Sequence, residues 1–265
     1  MHCETSNIPK TAEPHARNEA ARARLLSVRG EPLFLADWMG AVFIHYEVPA
    51  AELQSRVPFQ IDLFEGKAYV SLVAFTMQRM RPFRGGSLTS WLLKPIAKNE
   101  FLNFRTYVRH EGEPGIYFLT EWMNNPFSVR LGPISFGLPY NFGILKYQNK
   151  HETENLHGTV REKANEHAFA YEAELMETEF TPCPSGSLDE FLLERYTAFT
   201  SHAGKRRFFR IWHPPWIQQG IKISVSDSEL VASKWPWFKQ AELAGGNYSP
   251  GARNVWMGRP HRIHF

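Results

Sequence analysis

The segment GAVFIHYEV carries two side chains that could perform acid–base chemistry. Residues 40–48 alternate in the manner of a β-strand, which predicts that His45 and Glu47 lie on the same face. An imidazole and a carboxylate on one face could exchange protons with a bound molecule, provided that both line a cavity. Because buried polar groups are usually hydrogen-bonded, we favour a structural, hydrogen-bonded role for His45 over this acid–base role.

A second polar group lies in NEFLNFRTYVRHEGEPGIYFLTEW, where two β-rich runs flank the turn sequence EGEPG and predict a hairpin. Asn103, Arg105 and Tyr107 share one face of its first strand, and Tyr117 on the second strand is a further candidate ligand contact. Such a face is either exposed to solvent or lines a polar cavity. The Arg105 guanidinium could bind a carboxylate bidentately, or it could form an internal ion pair with Glu47.

Motifs for nucleotides, metals and nucleophilic serines are missing from the chain. Neither the glycine-rich dinucleotide fingerprint nor the phosphate-binding loop occurs, and GPISFG around Ser135 lacks the spacing of a nucleophile elbow. The 11 histidines include no HExxH pair, and Cys3 and Cys183 are too few for a disulfide framework or a four-cysteine site. We therefore expect no cofactor and no metal, and a reducing, cytoplasmic location fits the cysteine content.

The overall composition argues against nucleic acid and membrane as partners. A formal net charge of +3 from 30 basic and 27 acidic residues is only a slight excess, unlike the basic surface that binds phosphate backbones. No window approaches the roughly 18 consecutive apolar residues of a spanning helix, and the N-terminus lacks the apolar region of a secretory signal.

The chain divides into a leader and one large domain. Residues 1–30 are polar and show no apolar stripe, which predicts a disordered leader that the core does not require. No linker or internal repeat separates two cores in the remainder, so we expect residues 31–265 to form a single domain.

Short strands dominate the predicted domain. LFEGKAYVSLVAFTM predicts a turn followed by a strand that is apolar on both faces, as is typical of a central strand. One helix should begin after the cap Asn125 and break at Gly132–Pro133, and another should begin at Ser187, which forms a capping box with Glu190. Many short strands with few helices favour a mostly β fold, either a barrel or a sheet closed on itself.

Five motifs in register carry a family resemblance: FEGKAYVSLVAFTM, NFRTYV with PGIYFLT, LPYNF, SLDEFLLERY and IWHPPW. From about Trp38 to about Ile221, the chain resembles the YqjF-like family of uncharacterised proteins. That family is in turn similar to acetoacetate decarboxylase. The resemblance therefore implies a mostly β (α+β) fold, in which an antiparallel, cone-like β-barrel with a few short helices surrounds a mainly hydrophobic cavity.

The resemblance also implies that the decarboxylase chemistry is lost. Acetoacetate decarboxylase uses a lysine that forms a Schiff base with its ketoacid, a second lysine that lowers the pKa of the first, and a nearby arginine and glutamate. Here the paired lysines match Tyr140 and Asn141, the arginine matches Glu47, and the glutamate falls on or near Asn103. Because neither a phenol nor an amide forms an imine, we do not expect Schiff-base decarboxylation.

The favoured function is a small-molecule-binding domain whose aromatic and polar cavity accepts a modest organic acid or an aromatic compound. The candidate ligand contacts are Asn103, Arg105, Tyr107, Tyr117 and Tyr140. A lyase or hydrolase that uses Tyr140, His45 or Glu47 for proton transfer without an imine is the main alternative. A partner-binding protein without a ligand is the third, and the sequence specifies no oligomeric state.

Overall fold

The computed structural model describes residues 14–85, 91, 93–150, 152, 155–162 and 166–263, and within them the chain is mostly β, as the sequence predicts. The strands are β1 (Phe34–Val48), β2 (Gln60–Ile61), β3 (Ala68–Pro82), β4 (Asn99–His110), β5 (Glu113–Met123), β6 (Tyr140–Phe142), β7 (Ile144–Gln148), β8 (Asn155–Arg161), β9 (Ala168–Leu175), β10 (Thr181–Pro182), β11 (Thr197–His202), β12 (Lys205–Trp212), β13 (Ile217–Asp227), β14 (Glu242–Met257) and β15 (His261–Arg262). The α-helices are α1 (Pro14–Leu26), α2 (Ala50–Arg56), α3 (Pro126–Ser135), α4 (Leu188–Leu193) and α5 (Glu229–Ala232). In this part of the chain, no helix is both long enough and apolar enough to cross a membrane.

Seven strands form a closed ring of hydrogen-bonded neighbours, in the order β12, β11, β5, β4, β3, β1 and β14. The ring closes where Ile211 and Trp212 of β12 pair with Met257 and Trp256 of β14. All neighbours in the ring are antiparallel except β11 and β5, which are parallel. Strands β13, β9, β8 and β7 continue the sheet from β14.

The predicted hairpin and the predicted central strand are both confirmed. Strands β4 and β5 pair antiparallel around a turn at Glu111 and Gly112, which both have positive φ. Strand β3 lies between β1 and β4, and its first eight residues are buried on both faces. A strand without a solvent face needs apolar side chains on both sides, which is the pattern that the sequence shows.

Both predicted helix caps are present. The Asn125 side chain accepts hydrogen bonds from the first backbone N–H groups of α3. Ser187 Oγ accepts from the backbone N–H of Glu190 at 3.1 Å, and the Glu190 carboxylate in turn accepts from the backbone N–H of Gly186 at 2.8 Å. In a standard capping box the Glu190 carboxylate would accept from the backbone N–H of Ser187. Here it accepts from the backbone N–H of Gly186, one residue earlier.

Helix α3 does not break at Gly132–Pro133, which corrects the sequence prediction. The helix continues to Ser135, and the backbone N–H of Phe136 donates to the carbonyl oxygen of Gly132 at 2.9 Å. A proline removes only its own backbone donor, so the residues that follow it can still close the last turn.

Pro14–Leu26 form helix α1, which corrects the prediction that this part of the leader is disordered. The rest of the predicted leader, residues 1–13, lies outside the described residues. Asn18 is buried and donates from Nδ2 to the carbonyl oxygen of His213 at 2.7 Å, while its Oδ1 accepts from Trp212 Nε1 at 3.1 Å. Leu25 is fully buried. Arg17 and Arg24 add ion pairs with Glu190 and Glu113, so polar contacts and one buried leucine attach the helix without an apolar stripe.

The sheet buries a hydrophobic core on each face. In β4, Phe104 and Val108 belong to one core, whereas Phe101 and Tyr107 belong to the other, which also contains Phe43 of β1. The odd-numbered residues of β4 therefore face the second core. We refer to this side of the sheet as the cavity side, because the cavity described below lies there.

Candidate functional site

A cavity of about 350 Å³ lies on the cavity side of the sheet and is lined by α3 and by residues of β1, β3, β4, β5 and β12. Its volume lies at the lower end of the range that small-molecule pockets occupy, which is roughly 300–1,000 Å³. Most of the lining is apolar. The aromatic walls include Trp38, Phe43, Phe75, Phe101, Phe118 and Trp216.

Four polar side chains on adjacent strands enter this apolar lining together, and we call them the polar strip. Asn103 and Arg105 lie on β4, Glu121 on β5 and Tyr140 on β6. Asn103 is opposite Glu121, and Glu121 is beside Tyr140 in the parallel pairing of β5 with β6. Directly opposed side chains have Cβ atoms about 4.5–5.5 Å apart, so the strip is continuous across three strands.

A β-bulge in β5 turns Glu121 toward the cavity. Arg105 of β4 lies opposite Phe118 of β5. Two residues earlier on β4, Asn103 lies opposite Glu121, which is three residues further along β5. The extra residue shifts the alternation of β5, so that Phe118 and Glu121 both line the cavity despite their odd spacing.

Tyr117 does not line the cavity, which corrects its assignment as a ligand contact. It lies opposite Thr106, packs against the core on the other side of the sheet, and has its ring centroid 5.7 Å from that of Phe59. Uninterrupted alternation would place Tyr117 and Glu121 on the same face. The bulge separates them, so Glu121 lines the cavity and Tyr117 does not.

The surroundings of the Glu121 carboxyl favour its protonated form. The residue is only 2% exposed, and burial raises its pKa well above the usual value although the positive charge of Arg105 opposes the shift. Its Oε2 atom has no hydrogen-bond partner among the described residues. Beside it, burial and the charge of Glu121 raise the pKa of the Tyr140 phenol well above its usual value. Burial therefore favours the proton-bearing form of both groups.

Arg105 supplies a positive charge to the same strip. It is 8% exposed, and its Nη2 donates to the carbonyl oxygen of Leu192 at 3.1 Å, whereas its Nε has no partner in the described part of the chain. The guanidinium carbon also lies 5.8 Å from the ring centroid of Phe43. The alternative ion pair with Glu47 does not form, because the Glu47 carboxylate binds Lys67 Nζ at 2.7 Å.

His213 lies beside two aromatic residues of the cavity lining. Its ring centroid is 6.3 Å from that of Trp38 and 5.2 Å from that of Trp216. The residue is 2% exposed, and burial lowers its pKa, so the imidazole is uncharged near neutral pH. Sequence reasoning noticed the motif IWHPPW but did not assign His213 to the site.

His45 and Tyr107 belong to a buried hydrogen-bond network instead of the cavity lining, which corrects their assignment. Nδ1 of His45 is 2.7 Å from Ser71 Oγ, and Nε2 is 3.0 Å from Asn247 Oδ1. The Tyr107 hydroxyl lies 2.5 Å from Ser71 Oγ, and Asn247 Nδ2 donates to Gln218 Oε1. Since the Asn247 amide already donates to Gln218, its oxygen accepts from His45 Nε2–H, and Ser71 donates to Nδ1. Burial, followed by the charge of Arg105, lowers the pKa of His45 to about 3.

Glu47 likewise lies away from the cavity. It is at the end of β1, its side chain is 35% exposed, and its carboxylate faces Lys67. His45 and Glu47 therefore do not form the acid–base pair that alternation in β1 predicted. Of the predicted site residues, the structure brings Asn103, Arg105 and Tyr140 together in the cavity.

None of the described residues that line the cavity is a lysine. The same described residues also contain no group of three histidine, cysteine, aspartate or glutamate side chains placed to bind a metal ion. Arg195 borders the cavity, but its Nη1 binds Asp62 Oδ2 at 2.8 Å and its Nε donates to the carbonyl oxygen of Phe191 at 2.6 Å.

Comparison with known proteins identifies relatives in sequence and in fold. A family described as "Uncharacterized conserved protein", DUF2071, matches residues 35–250. The uncharacterized protein YqjF of Bacillus subtilis is 28% identical over 193 residues, which cover 71% of this chain and 76% of that protein.

Solved structures of low sequence identity share the fold. An acetoacetate-decarboxylase-like enzyme from Sphingomonas wittichii superimposes with a TM-score of 0.63 at 13% identity, covering 88% of this chain and 94% of that one. The enduracididine biosynthesis enzyme MppR superimposes with a TM-score of 0.64 at 12% identity, covering 87% of this chain and 89% of that one. That structure holds the condensation product of pyruvate and imidazole 4-carboxaldehyde. Acetoacetate decarboxylase from Legionella pneumophila superimposes with a TM-score of 0.58 at 11% identity, covering 98% of both chains.

Proposed function

The chain belongs to the DUF2071 family of uncharacterized conserved proteins, and we propose that it binds a compact organic acid or aromatic molecule in the cavity beside the polar strip. The observation that carries this proposal is a set of buried polar atoms without partners among the described residues: Asn103 Oδ1, Arg105 Nε and Glu121 Oε2. A buried polar group without a hydrogen bond costs about 1–3 kcal/mol. A ligand that supplies the missing partners removes that cost, while the aromatic walls bury its apolar part.

We also propose that the seven-stranded ring is a cone-like barrel and that residues 31–265 form one domain around it. The pairing of β12 with β14 supports this, because it leaves no free edge between the first and last strands of the ring. Residues from β1, β3, β4, β5 and β12 all contribute to the cavity lining, which is the arrangement expected of a barrel interior.

In this proposal the ligand is held without a covalent bond. Tyr140 stands where the resemblance to acetoacetate decarboxylase places the lysine that forms the Schiff base. The Tyr140 phenol, and the Glu121 carboxyl when it carries a proton, can donate hydrogen bonds to a ligand oxygen, but neither group can form an imine. The MppR structures with bound pyruvate and its condensation product support small-molecule binding by this fold.

Proton-transfer catalysis of the lyase or hydrolase type is the second candidate, favoured by the position of Tyr140 beside Glu121 in adjacent strands. We expect Tyr140→Phe to lower turnover of a bound compound by at least tenfold, because the variant keeps the ring and loses the proton. Chromatographic detection of product measures this, with Tyr117→Phe on the other face as the control. Equal turnover in the wild type and Tyr140→Phe would exclude Tyr140 as the proton donor.

Thermal-shift screening tests ligand binding directly. The probes are benzoate and phenylacetate as acids and benzyl alcohol and indole as neutral aromatics. We expect at least one probe at saturating concentration to raise the melting temperature, because a ligand that binds only the folded state stabilises it by mass action.

A variant pair assigns the binding to the cavity. Ser128 of α3 lines the cavity, whereas Arg130 is exposed on the same helix. We expect Ser128→Trp to abolish the ligand-induced shift because the indole fills the cavity, and Arg130→Trp to preserve it. The absence of any shift in the wild type, or an undiminished shift in Ser128→Trp, would contradict the proposed function.

A further inference from the structure

Glu121 and Arg105 enter the same cavity without a hydrogen bond to each other. Arg105 directs Nη2 to the carbonyl oxygen of Leu192 and leaves Nε without a partner, and Glu121 leaves Oε2 without a partner, within the described residues. Both side chains are more than nine-tenths buried. An arginine and an acid in one dry cavity would ordinarily pair, so their separation leaves room for a third group between them.

We propose that this third group is the carboxylate of a monocarboxylic acid, which lies between the Arg105 guanidinium and the Glu121 carboxyl, with one proton shared between the two carboxyl groups. This inference rests on the proposed function and specifies its ligand class. The acid group occupies the polar strip, and its apolar or aromatic substituent faces Phe43, Phe75 and the other rings of the lining.

The charges balance in this arrangement. The ligand contributes one negative charge, Arg105 contributes one positive charge, and Glu121 in its acid form contributes none. An O–H···O⁻ hydrogen bond between two carboxyl groups is short and strong, since one partner is ionised. Two ionised carboxylates in the same site would instead repel each other, which is why one of such a pair retains its proton.

Other titratable groups of the lining do not supply this proton or charge. Arg195 is committed to Asp62 at 2.8 Å, and the Tyr140 phenol stays protonated throughout the neutral range. His213 is the competing proton acceptor, because it is uncharged, buried and on the same lining. A bound anion would favour its protonation as well, so the experiment has to separate Glu121 from His213.

The proposal predicts that binding is linked to proton uptake. Above the pKa of Glu121 in the free protein, a carboxylate ligand must bind together with one proton, so the affinity falls by up to tenfold per pH unit. Below that pKa the proton is already present, and binding is independent of pH. Glu121→Gln supplies a neutral donor of the same size at every pH, so it should bind the ligand without proton uptake.

Isothermal titration calorimetry with benzoate between pH 5.5 and 9 tests this, in two buffers of different ionisation enthalpy. We expect the wild-type protein to take up as much as one proton per benzoate at the alkaline end of the range. Glu121→Gln should bind benzoate with no proton uptake and a flat pH profile, and Glu121→Leu should bind at least tenfold more weakly. Glu47→Gln, which changes a carboxylate outside the cavity, is the matched control and should behave as the wild type.

Two results would overturn the inference while leaving the proposed function intact. One is proton uptake of equal size in Glu121→Gln, which would identify His213 as the acceptor. The other is binding of benzyl alcohol or indole without binding of benzoate or phenylacetate at any pH. If none of the four probes binds, the proposed function fails, and this inference fails with it.

Discussion

Buried polar side chains in this protein fall into two groups that differ in whether they have partners. His45 is bonded at both ring nitrogens, to Ser71 and to Asn247, and this is what a structural role requires. The polar strip has three buried atoms without partners in the described part of the chain. Buried atoms without partners among the described residues also occur away from the cavity, at Gln219 and Trp237, so the ligand site is identified by partnerless atoms that line the cavity. Alternation along the strands predicts His45 and the polar strip alike as site residues.

The lowered pKa of His45 makes a prediction about acid stability. Its pKa is about 3 in the folded protein, against 6.5 when unperturbed, so between these values the unfolded chain binds the additional proton. Stability should therefore fall as the pH drops from 6.5 toward 3. We expect this histidine to account for roughly 3 kcal/mol of the loss between pH 7 and pH 4.

Urea denaturation of His45→Gln at several pH values measures this contribution. The variant should lose less free energy of unfolding than the wild type between pH 7 and pH 4, since glutamine does not titrate. The same substitution at the exposed His202 should leave the wild-type profile unchanged. Identical pH profiles for the wild type and His45→Gln would show that His45 is not buried in its neutral form.

At the scale of secondary-structure elements, a single extra residue in β5 decides which side chains reach the cavity. The sequence predicted the hairpin of β4 and β5 from the turn EGEPG, and it placed Asn103 and Arg105 on one face of β4. It could not place the bulge, because a bulge depends on the pairing of both strands and not on either sequence alone. A lone carboxylate in the apolar run FLTEWM was nevertheless a usable signal for Glu121, since an unpaired charge is costly to bury.

The sequence also did not predict that α1 packs on the body of the protein. Its buried contacts are one leucine and the hydrogen bonds of Asn18 to residues nearly 200 positions away. Periodicity detects stripes of apolar residues, so a helix held by long-range hydrogen bonds reads as a polar leader. The caps Asn125 and Ser187, by contrast, act within three residues and could be read locally.

Two adjacent leucines test whether α1 is part of the folded core. Leu25 is fully buried, whereas Leu26 is 48% exposed. We expect Leu25→Ala to lower the free energy of unfolding by about 2–5 kcal/mol, and Leu26→Ala to change it by no more than about 0.5 kcal/mol. Chemical denaturation of both variants provides the comparison. Equal, small effects would mean that the helix does not pack on the body of the protein.

At the scale of the whole molecule, the ring of strands explains why distant segments meet at one site. The cavity lining combines residues from β1 near the start of the described chain with residues from α3 and from β12. The family resemblance predicted the acetoacetate-decarboxylase-like fold, and the solved structures share it. Composition and periodicity alone predicted only a mostly β domain. They could not predict the order of strands around the ring, because that order depends on long-range pairing.

A crystal structure of the full chain grown with benzoate would test the ligand site most directly. We expect density for one benzoate on the cavity side of the ring, with its carboxylate oxygens within about 2.5–3.0 Å of Glu121 and Arg105 and its ring among the aromatic walls. A cavity filled by the protein's own side chains, or Asn103 and Glu121 facing solvent, would contradict the existence of a small-molecule site.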